Sequence, residues 1–255
     1  MNSSTPFLSI ITVVYNNLTG LQYTYQSVKS QMCTDFEWLV IDGGSTDGTK
    51  EWLTDLVFEN MRFISEKDGG LYDAMNKGLK LATGKFVWFM NSGDSIFSPD
   101  TVQTLINQSV GKDVLYGETM LVDGDDRQLG IRSEKTTRVL PESMNRFSMI
   151  KGMVVCHQSF IPQRNLAPPY NITYRFSADI DWVISCLEKA SSIHNCKTIL
   201  SNYLIGGLSA QNQKTGWKER WKIYVAHYGV VYTILAHIYI AIRYIWVFKI
   251  LKRNH

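Results

Sequence analysis

The sequence predicts an α/β domain with a mostly parallel central sheet flanked by helices. Three observations carry this reading. Short runs of β-branched and aromatic residues recur as far as Met90, stretches with helical spacing separate them, and loops rich in Gly, Asp and Asn follow the runs. Strands alternating with helices pair in parallel, and such sheets bind ligands beyond the carboxyl ends of their strands.

Phe7 to Tyr15 forms the first expected strand. It is short, carries no basic residue ahead of it and stops at Asn16-Asn17, unlike a secretion signal. Leu18 to Gln31 follows as a helix, with Leu21, Tyr25 and Val28 on one side. Phe36 to Ile41 is the second strand, ending in the loop Asp42-Gly43-Gly44-Ser45-Thr46-Asp47-Gly48, and a helix runs from Thr49 to Leu56. Met61 to Ser65 is a third strand, Leu71 to Ala82 a third helix closed by Gly84, and Phe86 to Met90 a fourth strand.

The pattern loosens from Gly111 to Gly207. Strand-like pieces stand at Val114 to Tyr116 and Gly152 to Phe160, and Ala178 to Ala190 is helical. This half is expected to be built over the first. From Trp217 the chain is helical in propensity and nearly all apolar from Tyr228 to Phe248, interrupted by His237 and Arg243. Three regions result: a half with alternating strands and helices at 1–110, a looser half at 111–210, and a basic, apolar tail at 211–255.

With 45% hydrophobic and 19% charged residues, and no internal repeat, the 255-residue chain can bury a full core. The net charge of +3 is unevenly spread: Lys214 to His255 holds eight Lys or Arg and only Glu219 as an acid. Embedded in apolar sequence, these charges suit an anionic membrane surface and not nucleic acid. Cys33, Cys156, Cys186 and Cys196 lack CxxC spacing, which excludes a zinc or redox motif and fits reduced, cytosolic thiols.

The tail is near the roughly 20 residues that span a bilayer. Arg243 inside it would cost about 2.5 to 3.5 kcal/mol near a span's centre. A helix lying in or dipping into the cytoplasmic leaflet is therefore expected, against packing on its own domain or a dimer partner.

Several residues carry chemistry by type and position. Gly43 to Lys50 almost matches a phosphate-binding loop, but its Thr and Lys are reversed and Asp42 would repel phosphate. Asp42 suits a hydrogen bond from a nucleobase imide, hypothetically uracil; an Asx-turn ending the strand is the alternative. Asn91-Ser92-Gly93-Asp94 follows the fourth strand. Asp94 there meets the minimum for Mn2+ or Mg2+, which need one or two carboxylates when phosphates and water complete the shell; a helix cap is the competing role.

Taken together these pieces resemble family 2 glycosyltransferases of the GT-A fold. Ile11 to Asn16, Asp42 to Thr49, Asp68 to Gly84 and Asn91 to Asp94 occur in that family's order and spacing. Ser65 to Gly78 is similar to the bacterial branch that makes exopolysaccharide, colanic-acid enzymes included. The resemblance implies that Val13 and Tyr15 line the nucleotide, and that Asp68, Asp73, Asn76 and the Asn91-Ser92-Gly93 turn border the nucleotide-sugar. Asp42 would bind uracil and Asp94 the metal. Asn91 and Gly93 stand where the family commonly has Asp.

Phe176 to Trp182 resembles the segment usually written Glu-Asp-x-Asp, with Ala178 in place of Glu. The match implies that Asp179 is the catalytic base. Two positions apart on a helix, Asp179 and Asp181 cannot face the same way, so Asp181 would cap the helix or touch acceptor. His157 lies among apolar neighbours, the setting of a core histidine, while the resemblance places a His-Gln pair beside the sugar.

The implied activity is inverting transfer from a nucleoside diphosphate sugar, a UDP-sugar by Asp42, to a hydroxyl of a lipid-linked glycan at the cytoplasmic membrane face. A non-catalytic nucleotide-sugar-binding protein is the alternative, since Asn91, Gly93 and Ala178 replace acids. A sugar-1-phosphate nucleotidylyltransferase would need a Gly-rich, Arg-containing loop where Tyr15-Asn16-Asn17-Leu18 stands. A dehydrogenase would need GxGxxG after the first strand.

Overall fold

A computed structural model describes residues 5–206 and 213–246. Four strands, β1 (Leu8–Val14), β2 (Phe36–Asp42), β3 (Met61–Ser65) and β4 (Phe86–Phe89), pair in parallel in the order β3-β2-β1-β4. β1 and β2 are buried along their whole length. That is why they read as continuous apolar runs: both faces of the sheet are covered. Leu8, Ile10, Trp38 and Val40 pack on one side with Leu21, Tyr25 and Val28 of α1 (Leu18–Lys29). Ile11, Val13, Leu39 and Ile41 face the other side, against Tyr72, Ala74 and Met75 of α3 (Leu71–Leu81). α2 (Thr49–Asp55) follows β2 in the chain, and its Leu53 packs on the α1 side. Gly78 lets α3 press onto β1, because a Cβ there would sit 2.4 Å from Ile11 Cγ2.

A second, mixed sheet runs β5-β9-β6-β7, with β8 also on β6. Its strands are β5 (Ser95–Ile96), β6 (Val114–Val122), β7 (Gln128–Ile131), β8 (Phe160–Pro162) and β9 (Ile193–Leu204). Helices α4 (Thr101–Gln108), α5 (Arg132–Lys135) and α6 (Ala178–Lys189) complete this half. β5 precedes residue 110 yet pairs with β9, so the two expected halves interlock.

The structure corrects the sequence reading in three places. Gly152 to Phe160 is no strand: one 3-10 turn, Arg146–Lys151, ends just before it, a second occupies His157–Ser159, and only Phe160 joins β8. β9 went unread because Lys197 adopts φ 53 and register shifts against β6 interrupt the alternation. The apolar tail forms α7 (Gln213–Ile245), but Gly229 breaks it with φ 79 and ψ 169. Gly207 to Ser209 of the expected Gly206–Ser209 turn lie outside the described residues.

Candidate active site

The ends of β1, β2, β3 and β4 and the loops after them bring Tyr15, Gly43, Asp68 and Asp94 to the carboxyl edge of the parallel sheet. The loop after β2 is braced from within. Asn16 Oδ1 accepts the Thr46 N–H at 2.8 Å, and Asp47 accepts the N–H groups of Leu18 at 2.9 Å and Thr49 at 3.2 Å. Asp42 belongs to this bracing, which overturns its expected role at a nucleobase. It is fully buried; Oδ1 accepts the Ser45 N–H at 3.1 Å and the Ser45 hydroxyl at 2.5 Å, while Oδ2 accepts the Ser65 hydroxyl at 2.6 Å. The Asx-turn alternative is the one realised.

What faces outward instead is Asp68. Gly43 has no side chain, and a Cβ there would lie 2.5 Å from Asp68 Oδ2 and 3.4 Å from the Tyr15 ring. The Tyr15 ring is 67% exposed. Asp68 Oδ1 accepts the Gly70 N–H at 2.8 Å, and Asp73 Oδ2 the Gly69 N–H at 2.9 Å, so Asp73 holds the loop that presents Asp68. Asn76 is consumed by the backbone of Tyr170, its Oδ1 accepting the N–H at 2.6 Å and its Nδ2 donating to the C=O at 3.0 Å. It ties α3 to the second half. Val13 is buried, and its C=O accepts the Ser92 N–H at 3.2 Å.

The turn after β4 is clamped by Thr24 of α1, a residue the sequence reading missed. Its hydroxyl donates to the C=O of Asp94 at 2.7 Å and accepts the Gly93 N–H at 3.1 Å. The Ser92 hydroxyl donates to the Asn17 C=O at 3.1 Å. Gly93 takes φ 101, a conformation that favours glycine and accounts for the missing Asp. The Asp94 carboxylate is buried, with Oδ2 accepting Gln158 Nε2 at 2.7 Å and Oδ1 the Leu204 N–H at 3.1 Å. Burial pushes its pKa up to about 7, against the opposing pull of those two hydrogen bonds. Gln158, of the expected His-Gln pair, is held by the Trp88 indole, which donates to its C=O at 2.7 Å.

Asp179 stands in the first turn of α6, and burial raises its pKa above the ordinary carboxylate value. Its Oδ1 accepts the Ile180 N–H at 2.9 Å and meets the Tyr72 hydroxyl at 3.4 Å. Tyr72 opens α3 directly after the Asp68 loop, so tertiary packing joins the two halves here. Burial pushes the phenol of Tyr203 on β9 up to about 12, with the charges of Cys156, Asp94 and Asp179 adding to the rise.

Two expected acceptor contacts are corrected. Asp181 turns toward α7, where Oδ1 lies 2.8 Å from His227 Nε2. His157 is a core residue: Nε2 lies 2.6 Å from the Tyr170 hydroxyl, Phe89 and Trp182 flank the ring, and burial lowers its pKa to about 3.

The glycosyl transferase family 2 model matches residues 9–167. The chain belongs to this family. A PGL/p-HBAD biosynthesis glycosyltransferase of Mycobacterium bovis is 31% identical over 216 residues, covering 80% of this chain and 79% of that protein. The putative teichuronic acid biosynthesis glycosyltransferase TuaG of Bacillus subtilis is 24% identical over 88% of this chain and 89% of its own. Among solved structures, S. aureus TarS 1-349 in complex with UDP-GlcNAc superposes with a TM-score of 0.66 at 19% identity, covering 95% of this chain and 72% of that one. The mannosyltransferase PcManGT from Pyrobaculum calidifontis, solved with GDP-Man and Mn2+, reaches a TM-score of 0.62 at 14% identity, covering 94% of this chain and 75% of that one. These likenesses give the family 2 glycosyltransferase its GT-A fold.

Family 2 membership raises the question of a divalent cation. Among the described residues no three His, Cys, Asp or Glu side chains gather as ligands. The oxygens present nevertheless fit a hard cation that brings much of its shell with a diphosphate. Asp94 accepts two hydrogen bonds where a carboxylate has about four acceptor positions, and Asn91 Oδ1 is a buried acceptor with no partner.

Proposed function

We propose that the protein transfers a sugar, with inversion, from UDP to a hydroxyl of a lipid-linked glycan intermediate at the cytoplasmic membrane face. The observation that carries this reading is Asp179: a half-buried carboxylate whose pKa burial raises despite the pull of the Arg138 charge, facing the helix that follows the Asp68 loop and in no ion pair among the described residues. The acceptor O–H attacks the anomeric carbon as its bond to the diphosphate oxygen breaks. The proton passes to Asp179, and the electron pair leaves on the nucleoside diphosphate. Attack opposite the leaving group gives inversion in one displacement.

Asp94, with Asn91, would hold Mn2+ or Mg2+, which when bound neutralises charge on the departing diphosphate. The uracil stacks on Tyr15 and donates its imide N–H to Asp68 Oδ2, which occupies the space left by the missing side chain of Gly43. The TarS complex with UDP-GlcNAc supports a UDP-sugar donor. The relatives named for PGL/p-HBAD and teichuronic acid biosynthesis support a glycan or glycolipid acceptor.

UDP release from a panel of UDP-sugars, with and without Mn2+ and a lipid-diphosphate sugar, tests the reading, and NMR of the product fixes the anomer. Mn2+-stimulated transfer with inversion is expected for the wild type and none for Asp94→Ala. Retention, or an Asp94→Ala enzyme that Mn2+ still stimulates, would overturn it.

A further inference from the structure

The outer face of α7 is built from the wrong residues for water. Gly229 divides the helix into arms 213–228 and 230–245, and the second arm folds back on the first. His237 packs against Trp221 at 5.0 Å and Tyr224 at 5.7 Å between ring centroids. On a straight helix, positions 221 and 237 would stand about 24 Å apart at the usual rise of about 1.5 Å per residue. Each arm has 16 residues and is too short to cross a hydrocarbon layer about 30 Å thick.

The second arm has its polarity reversed. Thr233 and Ala236 are buried, and His237, Ile240 and Arg243 also lie on the inner side. His237 Nδ1 meets the Thr233 C=O at 2.8 Å, and Arg243 donates to the Lys151 C=O at 2.8 Å. Outward stand Val230, Val231, Ile234, Leu235, Ile238, Ile242 and Ile245, all exposed. The two residues that argue against a membrane span thus face the protein, and the aliphatic ones face away from it.

The surroundings of this face choose its occupant. The outer side of the first arm carries Lys218 and Lys222 beside Trp217 and Trp221, while Tyr232 and Tyr239 on the second arm and Trp246 just after it are exposed. Amphipathic rings beside lysines match the boundary between acyl chains and anionic headgroups. A second copy would meet the same two lysines, a like-charge arrangement.

We infer that α7 is a monotopic helical hairpin whose second arm lies in the acyl boundary of an anionic membrane while the Lys and Trp side of the first arm meets the headgroups. This deepens the membrane partner of the proposed function and rests on that reading for its biological sense. Its test needs neither donor nor acceptor, so it stands or falls apart from glycosyl transfer.

The full chain is sedimented with phosphatidylcholine vesicles, with and without phosphatidylglycerol. Wild type should pellet with the anionic vesicles. The variant Leu235→Glu/Ile238→Glu/Ile242→Glu should bind about tenfold more weakly or worse, given the apolar area lost, with an unchanged melting temperature. Lys218→Ala/Lys222→Ala should lose much of the preference for anionic lipid. Wild type left in the supernatant, or a triple-Glu variant that binds like wild type, would overturn the inference. So would a lipid-free dimer that the triple-Glu change converts to monomers with no vesicle binding in either.

Discussion

The loop after β2 and the first turn of α6 both carry carboxylates, but they use them oppositely. After β2, Asp42 spends both oxygens on Ser45 and Ser65, and Asp47 spends its own on Leu18 and Thr49. Acids there build a rigid loop. On α6, Asp179 has one N–H from its own helix and a long contact to Tyr72, while Asp181, two positions on, is paired with His227. Under the proposed mechanism, what separates the two acids is not burial alone but whether neighbouring donors already satisfy the carboxylate.

The largest test of this contrast is Asp179→Asn. Loss of the base should lower transfer by about 100- to 10,000-fold, with the melting temperature unchanged. Because burial raises its pKa, the base is protonated at higher pH than an ordinary carboxylate. The acid limb of kcat/KM should therefore lie above the usual Asp value of about 3.9. Near-normal turnover in the folded variant would place Asp179 among the structural acids.

Asp42→Asn comes next and should act on stability. Weakening buried, charge-assisted hydrogen bonds costs about 1 to 3 kcal/mol, a melting-temperature fall of roughly 2 to 4 °C per kcal/mol for a chain of this size. Asp68→Asn should do the reverse, leaving stability alone and weakening UDP binding by calorimetry. If Asp42→Asn weakened UDP binding with no loss of stability, the base would be read after β2 as the sequence alone suggested.

The smallest effect concerns Asp181 and His227. Asp181 and Glu188 of α6 face His227, and Arg146 shares Glu188. Hydrogen bonds to the two acids raise the His227 pKa against the burial that opposes them. A raised pKa contributes stability that is fully present below the unfolded value of about 6.5 and is lost as pH rises through the folded one. The gap in melting temperature between wild type and Asp181→Asn should thus shrink from pH 6 to pH 9, with transfer kept. A constant gap, or lost transfer, would return Asp181 to the acceptor site.

The parallel half was legible because its signals are local. β3 has the bounds read from sequence, and β1, β2, α1 and α3 differ by one or two residues at an end. Strands buried on both faces appear as unbroken apolar runs, and Gly and Asp mark where they stop. β9 was not legible, because its pairing with β5 and β6 comes from distant sequence and its alternation is broken at Lys197. Site residues divide the same way. Asp94 and Asp179 were found as acids at element ends, but the clamp by Thr24 and the bond from Gln158 to Asp94 depend on partners far along the chain and gave no local signal.

By itself, then, the sequence determined the family, the parallel sheet and the positions where acids gather, since periodicity and turn chemistry act over a few residues. Tertiary structure decided which of those acids are spent. Asp42 ends a strand and Asp94 follows one, and only the donors packed around each, two serine hydroxyls and a backbone N–H for one and an amide and a backbone N–H for the other, separate a loop brace from a candidate cation ligand. The same holds for the tail. Its apolar length was plain in sequence, but which residues face outward depended on the break at Gly229 and on what the second arm found when it turned back.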